Sequence, residues 1–156
     1  MGGDIELLEE RTLSGEPVAD LLVRASSLHG IEIGGAVVPR AIDEFPVISV
    51  AAACATGQTI IRDARELRVK ETDRIAAMVT EMSKLGAILE ATPDGMIIGG
   101  GARLHGAAVE SFGDHRIAMS CAIAALQAGS AVTIHDTGCT ATSFPNFWEL
   151  LESVRQ

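Results

Sequence analysis

Four cations, Arg65, Arg68, Lys70 and Arg74, fall within ten residues of a chain that holds only 12 Lys and Arg against 21 Asp and Glu. Arginine offers a bidentate fork and lysine a point charge, so such a cluster suits a phosphate or a carboxylate. The pattern that follows predicts an amphipathic helix over about Glu71 to Leu85, whose first turn is the end of the stretch ELRVKETDR. Glu71 and Asp73 suit the positive end of that helix's dipole. Lys70 and Arg74, four apart and expected on one face, do not, and call for a compensating anion. The same residues also fit a solvated helix start in which Glu66, Glu71 and Asp73 neutralise the cations, and charge pattern alone leaves both readings open.

A second cation cluster stands in GDHRIAMS, where Asp114, His115 and Arg116 precede an apolar helix. Alone, such a triplet fits a loop with a local salt bridge. Asp43, in AIDEFP, holds the matching place before another apolar helix. An N-cap is the plain reading of its position, and a carboxylate base the functional one.

The elements that must carry these residues repeat. IDEFPVISVAAACATGQTIIRD (42–63) and FGDHRIAMSCAIAALQAGSAVTIHD (112–136) each run from an Asp through an Ala-rich apolar segment to a Gly, then a β-branched run closing on Asp. Asp43 and Asp114 lie 71 residues apart and Gly57 and Gly129 lie 72 apart, so the period holds at two landmarks. Each unit reads as helix, strand and second helix. PVISVAAACA begins at Pro46, ends towards Gly57 and is apolar on nearly every face, which predicts burial all round. Ile75, Met78, Val79, Met82 and Leu85 form the apolar stripe of the second helix, with Gly86 past its end; PNFWELLESVR is its counterpart. AILEA and GMIIGGG flank Pro93-Asp94-Gly95 as a hairpin, and VADLLVRAS and IEIGGAVVP read as earlier strands. The class expected is α/β (α+β), divided into the end of a truncated unit (1–40), one unit (41–105) and most of a second (106–156).

Composition narrows the function. A 156-residue chain that is 47% hydrophobic has the material for one packed core, and a net charge of −9 disfavours nucleic-acid or anionic-membrane surfaces. No apolar run is long enough to span a bilayer, and MGGDIELLEE has neither the basic nor the apolar part of a signal peptide, so a cytoplasmic setting is expected. Cys54, Cys121 and Cys139, odd in number and without a C-x-x-C pair, fit free thiols. His115, Cys121, His135 and Cys139 lack a recognised metal-ligand spacing, and no metal is expected. Gly2 and Gly3 lead directly into the strand-like DIELLEE, which raises the expectation of a piece of something longer.

RELRVKETDRIAAM, with AIDEFPVISVAAACA, GDHRIAMS and CTATSFPNFWELL, resembles the carboxy-terminal part of the EPSP synthase family, and of its second class in particular. The resemblance extends over essentially the whole chain. It implies one lobe of an inside-out α/β fold assembled from β-α-β-α-β-β units with buried helices, and transfer of the enolpyruvyl group of phosphoenolpyruvate to the 5-hydroxyl of shikimate 3-phosphate without metal or organic cofactor. It implies that Asp43 accepts the 5-hydroxyl proton and contacts shikimate 3-phosphate, that Lys70 contacts shikimate 3-phosphate, and that Glu71 transfers a proton at the methylene carbon. Arg74 and Arg116 match the pair that grips phosphoenolpyruvate, and His115 a site-lining residue. Thr142 stands where many members have a Lys that touches phosphoenolpyruvate, and Glu66 where they have an Asn that contacts shikimate 3-phosphate. An acidic Glu66 there needs a partner, for which Arg65 or Arg68 is expected; otherwise those two arginines balance Glu66 and Asp63. The family's remaining Lys, Ser and Arg residues come from its amino-terminal segment and other lobe, so the remainder of the enzyme is an expected partner. Two rivals are a UDP-N-acetylglucosamine enolpyruvyltransferase of the same fold and a non-catalytic anion-binding or scaffolding module; a decayed module should have lost at least one of Asp43, Lys70, Glu71, Arg74 and Arg116.

Overall fold

The computed structural model describes residues 1–155. The chain opens as a two-stranded ribbon, β1 (Asp4–Leu13) antiparallel to β2 (Glu16–Arg24). Ser14 and Gly15, both at positive φ, make the two-residue turn, a conformation matched to the twist of a hairpin. Neither strand contains a buried residue. The predicted strand IEIGGAVVP is much shorter, with only β3 (Glu32–Ile33) paired as a strand. Gly35 turns the chain through φ +64°, and Pro39 at a first-turn position starts the short helix α1 (Val38–Ala41).

α2 (Phe45–Cys54) crosses from β3 to the parallel strand β4 (Gln58–Ile61). It is buried over most of its length, as its composition predicts, and Ser49 satisfies its hydroxyl on the Phe45 carbonyl at 2.7 Å. It ends before Gly57: Ala55 is already extended, and Gly57, at φ +79°, sits in the turn to β4. α3 (Arg74–Lys84) then lies across the hairpin of β5 (Ile88–Thr92) and β6 (Gly95–Gly99). The sheet order is β3-β4-β6-β5, with β6 antiparallel to both neighbours and Pro93-Asp94 as the turn. A side chain at Gly95 would run into the Ile61 carbonyl, so the turn meets β4 only through glycine.

The pattern recurs in β7 (Ala108–Glu110), α4 (His115–Ala125), the parallel strand β8 (Thr133–His135) and α5 (Phe147–Val154). α2, α3 and α4 pack on one another. Fully buried Phe45, Leu67, Ile75, Met78, Met82, Leu85, Met96, Ile98 and Ile117 fill the space between them and the sheet. Buried Glu81 of α3 takes the Lys84 ammonium at 2.7 Å and the Glu110 N–H at 2.9 Å, which ties α3 to β7 without an orphaned charge.

The start of α3 differs from expectation. Asp73, not a residue near Lys70, is the N-cap: its carboxylate accepts the Ala76 N–H at 2.9 Å and its backbone is extended. A short Asp side chain reaches the N3 amide from the cap position, and this fixes the helix start three residues later than predicted. Glu71 therefore lies outside the helix, and Lys70, extended after a 3₁₀ turn (Arg65–Val69), shares no helix face with Arg74. Among the described residues no helix is long and apolar enough to cross a membrane.

Candidate functional site

Three segments distant in sequence meet at the buried end of α3: the 3₁₀ turn Ile42–Glu44 before α2, the stretch Glu66–Arg74, and the first turn of α4. Arg74, first residue of α3 and 1% exposed, is their common point. Its Nε donates to Asp114 Oδ2 at 2.7 Å, Nη1 to Asp43 Oδ1 at 2.8 Å and Nη2 to Glu71 Oε2 at 2.7 Å. A guanidinium this deep costs much desolvation, and three carboxylates offset it. Burial opposes its charge, while the hydrogen bond and charge of Asp114, with Asp43 and Glu71, raise its pKa further.

Lys70 and Arg116 flank this centre. Lys70 Nζ donates to Glu66 Oε1 at 2.6 Å and stands 3.8 Å from Asp43 Oδ1. The Glu66 hydrogen bond raises the Lys70 pKa; burial opposes it, and the charges of Asp43 and Glu66 add to the rise. Arg116, in the first turn of α4, donates through Nη1 to Glu44 Oε1 at 2.6 Å and to the Asp43 carbonyl at 3.1 Å. Its buried Nε–H has no partner among the described residues. Partial burial pushes the Asp43 carboxyl up, but the Arg74 hydrogen bond and the charges of Lys70, Arg74 and Arg116 outweigh this and hold it below the usual carboxylate value.

Of the opening cluster, Lys70 and Arg74 come together with Arg116 and are neutralised by carboxylates, while Arg68 turns away to Asp73. Lys70, Arg74 and Arg116 face five carboxylates, those of Asp43, Glu44, Glu66, Glu71 and Asp114. An incoming anion must displace some of them. Asp43 and Glu71 are placed for that, each with about half its side chain exposed, whereas Asp114 is fully buried. Asp43 is not a helix cap: Glu44 occupies that position at α2, and no side chain caps the helix. Asp114, its counterpart in the repeat, does cap α4, accepting the Arg116 N–H at 2.8 Å.

Other expected partners are redistributed. Glu66 pairs with Lys70 rather than Arg65 or Arg68. Arg68 pairs with the cap residue Asp73 at 2.7 Å and donates to the Thr92 and Pro93 carbonyls, which clamps the β5–β6 turn onto the start of α3; its role is structural. Asp63, at φ +61°, accepts the Gly35 N–H. His115 opens α4, partly exposed beside Asp114. Thr142 turns its hydroxyl to the Cys139 carbonyl at 2.7 Å within the 3₁₀ turn Thr137–Thr142 and makes no hydrogen bond to the cation cluster. Asp114 and Glu44 carry no site role in the sequence expectation; their one signal is position, each beside a residue singled out there. Among the described residues no group of three His, Cys, Asp or Glu side chains could hold a metal.

Comparison with known proteins gives a consistent picture. Residues 1–151 match the family described as EPSP synthase (3-phosphoshikimate 1-carboxyvinyltransferase). The chain is 69% identical over 156 residues to the 3-phosphoshikimate 1-carboxyvinyltransferase of Syntrophotalea carbinolica, and 68% identical over 154 residues to that of Geobacter sulfurreducens. These matches cover 100% and 99% of the chain and 36% of each relative, so the chain spans about a third of the length of the curated relatives it matches. The structure of EPSP synthase from Acinetobacter baumannii superposes with a TM-score of 0.92 at 44% identity, over 97% of this chain and 36% of that one. The enolpyruvyl transferase NikO from Streptomyces tendae shares the fold, with a TM-score of 0.68 at 18% identity.

Proposed function

The chain belongs to the EPSP synthase family, and from that premise we propose that it forms part of an enzyme transferring the enolpyruvyl group of phosphoenolpyruvate to the 5-hydroxyl of shikimate 3-phosphate. The observation that carries the reading is the convergence of Asp43, Glu71 and Asp114 on the Arg74 guanidinium, with Lys70 and Arg116 alongside. A scaffold that had shed catalysis would have no reason to keep two half-exposed carboxylates and three cations in one place.

In this reading the carboxylate of phosphoenolpyruvate takes the Nη groups of Arg74 from Asp43 and Glu71, and Arg116 grips it from the start of α4. Lys70 leaves Glu66 for the phosphate of shikimate 3-phosphate. Asp43, ionised because its carboxyl sits below the usual range, accepts the proton of the 5-hydroxyl as that oxygen bonds to C2 of phosphoenolpyruvate. Glu71 delivers a proton to the methylene carbon, giving a tetrahedral adduct. Elimination returns that proton to Glu71 and breaks the C2–O bond to phosphate, which departs with the proton taken up by Asp43, and restores the double bond, so no electrons are gained or lost. His115, Glu66 and Thr142 line the site. The remainder of the same polypeptide supplies further cations, and the whole works in the cytoplasm.

Phosphate release by the full-length polypeptide tests this. Release from phosphoenolpyruvate with shikimate 3-phosphate supports the reading. Release with UDP-N-acetylglucosamine alone replaces it with the related enolpyruvyltransferase, and release with neither leaves the non-catalytic module. This chain alone is expected to show no turnover.

A further inference from the structure

Asp114 does two things with one carboxylate. Oδ1 accepts the Arg116 N–H at 2.8 Å, and Oδ2 accepts the Arg74 Nε–H at 2.7 Å, with a longer contact of 3.4 Å from Nη2 to Oδ1. The side chain is wholly buried. It is also delivered rigidly: Phe112 and Gly113, both at positive φ, form a tight turn closed by the Asp114 N–H on the Ser111 carbonyl at 3.0 Å, and the Ser111 hydroxyl accepts the Gly113 N–H at 3.1 Å and donates to the Asp136 carbonyl at 2.9 Å. One buried oxygen pair thus connects the starts of α3 and α4, and with them the two arginines of the site.

We infer that Asp114 is a positioning residue for the proposed reaction, holding the Arg74 fork by its Nε–Nη2 edge so that Nη1 and the outer N–H of Nη2 are presented where Asp43 and Glu71 now sit, at a fixed spacing from Arg116. The inference rests on the proposed function of the site. The contacts divide by side: Asp114 approaches Arg74 from the interior, while half-exposed Asp43 and Glu71 occupy its Nη groups from the open side. A ligand carboxylate that replaces Asp43 and Glu71 then finds a guanidinium whose plane is already set, and the ordering cost of the fork has been met in the fold. Without the buried acceptor, Arg74 keeps its charge and loses its orientation.

Asn and Ser at this position separate capping from positioning. Either can cap α4 through its side-chain oxygen, but Asn then presents an NH₂ group to the Arg74 Nε–H, donor against donor, and Ser is too short to replace the second carboxylate oxygen. In the full-length enzyme, Asp114→Asn and Asp114→Ser should raise the KM for phosphoenolpyruvate by about tenfold or more, with the KM for shikimate 3-phosphate changed by less than about threefold. The effect of Asp114→Asn on phosphoenolpyruvate should also largely vanish in an Arg74→Lys background, because the fork it orients is gone. Equal rises in both KM values, unchanged values, or additivity with Arg74→Lys would overturn the inference. Loss of the folded state in both variants would assign Asp114 to the fold alone and also overturn it. A wild-type enzyme silent with this substrate pair removes the functional reading; an active wild type with an unaltered Asp114→Asn removes only the inference.

Discussion

Asp43 and Asp114 stand at matching places in a repeated unit and have gone opposite ways. Asp114 is sealed in the interior, caps its helix and holds a buried arginine. Asp43 caps nothing, keeps about half its side chain in solvent and touches Arg74 from outside. The helices that follow differ in the same sense: α3 buries Ile75, Met78 and Met82 on the β5–β6 hairpin, whereas α5, equally amphipathic in sequence, buries no residue. The two segments present similar parts, a parallel crossover through a buried helix preceded by an Asp, and packing leaves one carboxylate buried and the other accessible. An exposed carboxylate with lowered pKa is available for chemistry, and a buried one is not.

The sharpest way to break this contrast is Asp43→Ala in the full-length enzyme. Turnover should fall by about 10²–10⁴-fold while substrate binding stays measurable, and stability should fall by about 1–3 kcal/mol because buried Arg74 loses one of its three carboxylates. Steady-state kinetics with urea denaturation checks both halves; unchanged turnover would return Asp43 to a structural role. Arg74→Ala cuts the link between the two carboxylates and leaves Asp114 buried without its cation. It should cost about 3–5 kcal/mol in urea denaturation, and should weaken phosphoenolpyruvate more than shikimate 3-phosphate. Equal losses of both ligands would remove the assignment of Arg74.

The helices provide a milder pair. Met78→Ala should destabilise by about 2–5 kcal/mol, and Leu150→Ala, 45% exposed on α5, by less than about 0.5 kcal/mol. A Leu150 loss as large as that of Met78 in the full-length polypeptide would mean that a surface outside this chain covers α5. The smallest effect concerns pH. Asp43 has a folded pKa below its unfolded value near about 3.9, so its contribution is complete above that value and is lost as pH falls through the folded one. Asp43→Asn should therefore flatten the acid side of the stability curve below about pH 4, as denaturation midpoints between about pH 2 and 7 would register. Parallel curves for the two proteins would show that the Arg74 contact does not hold this carboxyl down.

Much of the fold was legible because it is written locally. The stripe Ile75, Met78, Met82, Leu85 gives α3, Gly86 at φ +93° ends it, and Pro93-Asp94 marks the hairpin turn. The internal period gave the repeated crossover. What failed locally was arbitration between neighbours: Glu71 and Asp73 both suit a helix start, and only the Asp73 side chain reaches the Ala76 N–H. The site was legible as a set of residues but not as a network. Arg74 and Asp114 are 40 residues apart and Arg68 and Pro93 are 25 apart, and no periodicity specifies which cation finds which oxygen. Proximity in sequence points Arg65 and Arg68 to the nearby acids Glu66 and Asp63, whereas the fold pairs Arg68 with Asp73 and the hairpin turn, and gives Glu66 to Lys70.

The bare β1–β2 ribbon bears on solution behaviour. Ile5, Leu7, Leu21 and Val23 are each more than half exposed on strands whose outer backbone edges are unpaired. Such an edge is a ready template for another strand, and the surface pairs of Arg11 with Asp20 and of Arg24 with Asp4 and Glu6, the irregularity between Leu8 and Arg11, and Pro17 stand against it. Salt screens those pairs while leaving the apolar face untouched. Added salt is therefore expected to favour association of copies of this chain through the ribbon, as light scattering against salt concentration would register.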